Sequence, residues 1–162
     1  MDNCYFCTVA ATNPKEVFYD HEYFVALWDG NPLAPGHALI IPKRHVQYVG
    51  ALSDIEAREL MPFAQEVSSI VKKADLERVY MDLLDGVTDI MSQDYLENSL
   101  KKVKDYNRPP DAFNFGINDG PEAGQSVYHM HLHLIPRWSG DVENPRGGIR
   151  NMFSSDKYSR EP

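Results

Sequence analysis

The chain has 162 residues, 43% of them hydrophobic and 25% charged, proportions that suit a single folded domain over 1–162 and exclude a disordered or low-complexity chain. No run of about 18 apolar residues is present, and the opening MDNCYFCTVA lacks the basic and apolar regions of a secretory signal, so a cytoplasmic protein with no membrane span is expected. Sixteen basic against twenty-four acidic side chains leave a net charge of −8, so no nucleic-acid partner is expected: such affinity rests on neutralising phosphates.

Val17 to Trp28 is aromatic and β-branched with a polar break at Asp20–Glu22, which predicts two strands around a turn. Asp29-Gly30-Asn31-Pro32 is a dense turn signal, and the apolar run from Gly36 to Pro42 predicts a further strand. Ser53 with Glu56 fits a capping box and opens a helical pattern to about Asp75, with a kink or break expected at Pro62. Residues 76–106 stay helical, with Gly86 or the Met91-Ser92 region as splitting points, until Arg108-Pro-Pro-Asp111 stops the pattern. Strands are expected over Ala112–Asn118 and Ser126–Arg137, followed by a polar tail over 138–162. Strands, helices, then strands again predict an α+β fold with an antiparallel sheet.

Three of the six histidines fall within five residues, His129-Met-His131-Leu-His133. On a strand they would share one face and leave Met130, Leu132 and Leu134 on the other, so an apolar face turned to the core aims the imidazoles at a cleft or the solvent. A histidine-rich polar surface is the plain alternative. The two chemical readings are a metal site and nucleophilic catalysis by an imidazole. Just upstream, Asn118 to Ser126 forms a loop in which Gly120 and Gly124 allow close backbone approach to an anion. The two cysteines, Cys4 and Cys7, are half a metal site or a redox pair.

His129-Met-His131-Leu-His133-Leu-Ile resembles the signature of the histidine triad (HIT) superfamily. The likeness extends over GQSVYHMHLHLIPRW, NDGPEAGQ and PGHALIIPKRH, while Cys4-Tyr-Phe-Cys7 matches the CxFC start of zinc-bearing members. It implies a HIT-like fold with a five-stranded antiparallel sheet, a homodimer, and nucleotidyl hydrolase or transferase chemistry. The stretch 76–110 is longer than the connection usual in that family and is an extra helical insertion. By the resemblance, His131 is the nucleophile on the α-phosphorus of an adenosine nucleotide and His133 contacts the phosphate or leaving group. Asn118, Gly124, Gln125 and Ser126 belong to the phosphate pocket, Asp29 meets the ribose, and His37 supports the catalytic histidines.

In the zinc-bearing branch the ligands correspond to Cys4, Cys7, His45 and His129, a closed set suited to structural Zn²⁺ and unsuited to activating water. The tail Gly140 to Gly148 resembles the branch that splits dinucleoside polyphosphates such as diadenosine tetraphosphate. There Arg146 and Arg150 would meet distal phosphates, and Mg²⁺ would accompany the substrate. The alternatives are a phosphorylase, a nucleoside phosphoramidate hydrolase, and a nucleotide-binding sensor or interaction module without turnover.

Overall fold

The computed structural model describes residues 4–12 and 14–146. Its sheet has five antiparallel strands: β1 (Val17–Asp20), β2 (Phe24–Trp28), β3 (Ala38–Pro42), β4 (Ala112–Ile117) and β5 (Leu132–Arg137). They lie in the order β1-β2-β3-β5-β4, so β5 threads between β3 and β4. Helix α1 (Tyr5–Thr12) precedes the sheet, and α2 (Asp54–Lys73), α3 (Leu76–Leu84) and α4 (Ile90–Tyr106) connect β3 to β4.

Strands β2 and β3 are buried at every position because both faces of the sheet are covered. On one face Phe24, Ala26, Ala38, Ile40, Leu132 and Leu134 pack under the helices through Leu60, Phe63, Val67, Tyr80 and Leu96. On the other, Val25, Leu27, Leu39 and Ile41 pack under Phe6 and Val9 of α1. The CYFC start of the chain thus forms a helix, an element its short polar-flanked sequence does not announce.

Ser53 and Glu56 form the expected capping box, with Ser53 Oγ accepting the Glu56 N–H and Glu56 Oε2 accepting the Ser53 N–H. The expected break at Pro62 does not occur. Helix α2 runs on through it, because Pro62 and Arg58, whose carbonyl loses its partner, both lie on the exposed side where water substitutes. Residues 76–106 are helical as expected, split by the turn around Gly86, while Met91-Ser92 sits inside the first turn of α4.

One expectation fails in a way that matters for chemistry. Ser126–His131 is not strand; β5 begins only at Leu132. The backbone bends instead, with the His129 N–H donating to Val127 O at 2.8 Å and the Met130 N–H donating to Val46 O at 2.7 Å. The three histidines therefore do not share one strand face, and His129 serves a different cluster from His131 and His133. Among the described residues no helix is long and apolar enough to cross a membrane.

Candidate active site and metal centre

A cleft of about 820 Å³ opens where β2 leads to β3, and Asp29, His37, Ser126, His131 and His133 line it. Strand register assembles it. Leu39 pairs with His133, which places His37, two residues earlier, on the same face of the sheet as His133. Gly36, with φ of +75°, turns the chain so that His37 lies buried beside Asp29.

The nucleophile expected from sequence has a defined tautomer. His131 Nδ1 lies 2.8 Å from the carbonyl oxygen of His129. A carbonyl can only accept, so Nδ1 carries the proton and Nε2 keeps its lone pair. The ring is 4% exposed and sits against Phe6, with ring centroids 5.2 Å apart, and against His133 at 4.9 Å.

Behind it runs a row of hydrogen bonds. His133 Nδ1 is 3.0 Å from His37 Nε2, and His37 Nδ1 is 3.2 Å from Asp29 Oδ2. The Leu33 N–H also points at His37 Nδ1, at 3.3 Å. These two partners of Nδ1 select opposite tautomers. When Nδ1 donates to Asp29, His37 Nε2 accepts from His133. When Nδ1 accepts from Leu33, Nε2 donates and His133 Nε2 carries a proton toward the cleft. Burial holds His37 below the ordinary histidine range, against the pull of Asp29. Burial, with His37 and His131 nearby, lowers His133 to about 4. Both histidines are thus held below the ordinary range and can share one proton between His133 Nδ1 and His37 Nε2.

The phosphate loop is only partly as expected. Ser126 lines the cleft, but Asn118, Gly124 and Gln125 do not. Gln125 is turned inward: its Oε1 accepts the Gly120 N–H at 3.1 Å and its Nε2 donates to Gln47 O at 2.9 Å. Asn118 Nδ2 donates to Gly124 O at 3.4 Å. The Gln125 amide, engaged at both its oxygen and its nitrogen, shapes the loop. Arg146 does not line the cleft, and Arg150 lies outside the described residues.

Sequence reasoning missed the far wall. Val87, Asp89, Ser92 and Leu96, from α4 and the turn before it, line the same cleft as His131. No local pattern marks them, since only the packing of α3 and α4 brings them there. Among the described lining residues are the carboxylates of Glu16, Asp29 and Asp89, and no lysine or arginine.

Cys4, Cys7, His45 and His129 form a second cluster, with one potential ligand atom from each lying within 4.8 Å of the others. Cys4 Sγ and Cys7 Sγ each lie 3.5 Å from His129 Nδ1, and Cys7 Sγ is 3.2 Å from His45 Nδ1. A tetrahedral ion with sulfur at about 2.3 Å and nitrogen at about 2.05 Å would give edges of about 3.5 Å, so the donor set fits one. His129 Nε2 donates to Pro42 O at 2.8 Å, which turns the lone pair of Nδ1 toward the sulfurs. In the absence of a cation, burial and the neighbouring Cys4 sulfur push the Cys7 thiol up; a bound metal would reverse this.

A family model described as the HIT domain matches residues 10–140. The chain belongs to the HIT family. Among its HIT relatives, a bis(5'-adenosyl)-triphosphatase of Dictyostelium discoideum is 33% identical over 148 residues, covering 91% of this chain and 74% of that protein. An AP-4-A phosphorylase of Mycobacterium tuberculosis is 31% identical over 112 residues, covering 68% of this chain but only 40% of that protein. The HIT fold is also that of a Zn-bound histidine triad family protein from Mycobacterium smegmatis, at a TM-score of 0.62 and 24% identity, covering 88% of this chain and 80% of that one.

Proposed function

We propose that this protein is a nucleotidyl hydrolase or transferase that cleaves adenosine nucleotides at the α-phosphorus through a covalent nucleotidyl-His131. The observation that carries this reading is the His131–His129 carbonyl bond, which places the Nδ1 proton on the carbonyl side and so assigns Nε2 as the nitrogen that can attack, in a ring that lines the cleft. In the first step an Nε2–P bond forms and the P–O bond to the leaving group breaks, the polyphosphate departing with the bonding electron pair as an anion that the neutral Nε2–H of His133 can hydrogen-bond. In the second step water, or another acceptor, attacks phosphorus, the P–N bond breaks with its electron pair returning to Nε2, and the proton of the attacking group passes to solvent. The His129 carbonyl stabilises the positive charge that develops on the His131 ring. Asp29 accepts from the ribose and Ser126 donates to a phosphate oxygen.

The relatives support a dinucleoside polyphosphate, of the diadenosine tetraphosphate kind, as the substrate class. With no lysine or arginine among the described lining residues, such a substrate would bring Mg²⁺ to balance its charge. The same observation favours a second reading, a nucleoside phosphoramidate, whose leaving amine adds no phosphate charge. Cys4, Cys7, His45 and His129 would hold a structural Zn²⁺ that ties α1 to the bend before His131. Held by four protein ligands, such an ion would leave no position open to water. A homodimer would use the edge strand β4, which pairs only with β5 among the described strands.

Product analysis tests the reading. Wild type and His131→Ala are compared on diadenosine tetraphosphate with Mg²⁺ in phosphate buffer, and on an adenosine phosphoramidate. AMP and ATP from wild type alone establish the hydrolase, and ADP and ATP the phosphorylase. Turnover of the phosphoramidate alone supports the second reading. AMP binding without turnover of either substrate would refute an enzyme and leave a binding module.

A further inference from the structure

The wall of the cleft built by residues 87–96 makes a specific bond across it. Ser92 Oγ donates to Asn31 Oδ1 at 3.1 Å, joining α4 to the turn between β2 and β3. The backbone N–H of Asn31 donates to Asp29 Oδ1 at 2.9 Å, while Asp29 Oδ2 faces His37 Nδ1 at 3.2 Å. Asp29 Oδ1 is thus held by the backbone of Asn31, whose side chain α4 holds in turn, and Oδ2 faces His37. Its side chain, 15% exposed, keeps lone pairs for the cleft in a set direction. Two neighbouring acceptors of this kind match a pair of vicinal hydroxyls, each donating one proton. Asp89 lines the same wall and caps α4, its Oδ2 accepting the Ser92 N–H at 2.8 Å. Its charge in the same cleft opposes a further anion.

We propose that the Ser92–Asn31 bond makes the start of α4 the sugar-selecting wall of the site, holding Asp29 so that it takes both hydroxyls of a ribose and disfavours a sugar lacking one. This inference rests on the nucleotide reading above. Ser92 and Asn31 are positioning residues: they act through Asp29 and not on the reacting phosphorus. Helices α3 and α4 thereby contribute to substrate choice as well as to the core.

The test compares kcat/KM for a ribonucleotide substrate and its 2′-deoxy counterpart, diadenosine tetraphosphate or an adenosine phosphoramidate, in the full chain. Wild type, Ser92→Ala, Asn31→Ala and Ser92→Thr are measured. The ribose preference is a ratio within one preparation, so inactive or misfolded protein cancels out of it. Wild type is expected to prefer the ribose form at least about tenfold. Ser92→Ala and Asn31→Ala are expected to lower that preference about three- to tenfold, the weight of one hydrogen bond. Ser92→Thr, which keeps the hydroxyl, restores it. An unchanged preference in both alanine variants, or a threonine variant no better than Ser92→Ala, overturns the inference while leaving the nucleotide reading intact. Failure of wild type to cleave either ribonucleotide overturns both.

Discussion

Tyr80→Phe isolates the contact by which α3 holds the turn in front of His37. Tyr80 is 1% exposed, and its hydroxyl accepts the Gly36 N–H at 2.7 Å. Ser99 of α4, itself buried, hydrogen-bonds the same hydroxyl. Phenylalanine keeps the ring and opens no cavity, so the change removes one oxygen and strands a buried backbone N–H. An unsatisfied buried donor costs about 1–3 kcal/mol, and 2 kcal/mol is a working value. With a urea m-value of about 2 kcal/mol per molar for a chain of this size, the midpoint falls by about 1 M at unchanged slope. Urea unfolding followed by circular dichroism reads this directly. The Tyr80→Phe/Ser99→Ala pair should cost less than the two single changes added, because Ser99 loses its partner in both. A midpoint within about 0.2 M of wild type would refute the assignment of that hydroxyl to the Gly36 N–H.

Gly36→Ala is expected to destabilise by more than about 2 kcal/mol in the same assay, since its φ is +75° and an added Cβ would lie 2.9 Å from Val71 Cγ1. Stability should be flat above pH 6.5 and fall as pH drops from 6.5 toward about 4, the unfolded chain binding protons that His133 refuses when folded. A separate loss should follow between about 4.5 and 2, because the Arg44 guanidinium holds Glu56 at about 2; acid titration of the urea midpoint checks both windows. Chelation with an excess of EDTA should inactivate slowly, in step with loss of structure, and Cys7→Ser should lower the melting temperature of the purified protein; instant loss of activity with the fold intact would indicate a catalytic metal instead.

The strands were legible because β-branched and aromatic runs sit between turn signals, and the capping box was legible because Ser53 and Glu56 carry it within four residues. Tertiary features were not. Pro62 was expected to kink or break α2, and the helix runs unbroken through it; a proline's cost depends on whether water reaches the stranded carbonyl, which sequence does not state. Alternation placed His129, His131 and His133 on one strand face. The bond from the Met130 N–H to Val46 O, a distant segment, bends that chain instead. Gln125 carries the residue type of a phosphate contact, yet its amide is engaged by Gly120 and Gln47. Ser92 and Asn31 lie 61 positions apart, and neither has a local pattern that foretells the other.

His129 works at both ends of one residue: its ring belongs to the sulfur cluster, and its carbonyl oxygen accepts the hydrogen bond from His131 Nδ1. Whatever moves that ring moves the oxygen with it. Oxidants and electrophiles that attack Cys4 or Cys7 should therefore silence phosphorus chemistry without reaching the cleft. The vulnerability is chemical inheritance through a single peptide unit, and no variation among residues of the substrate pocket would remove it.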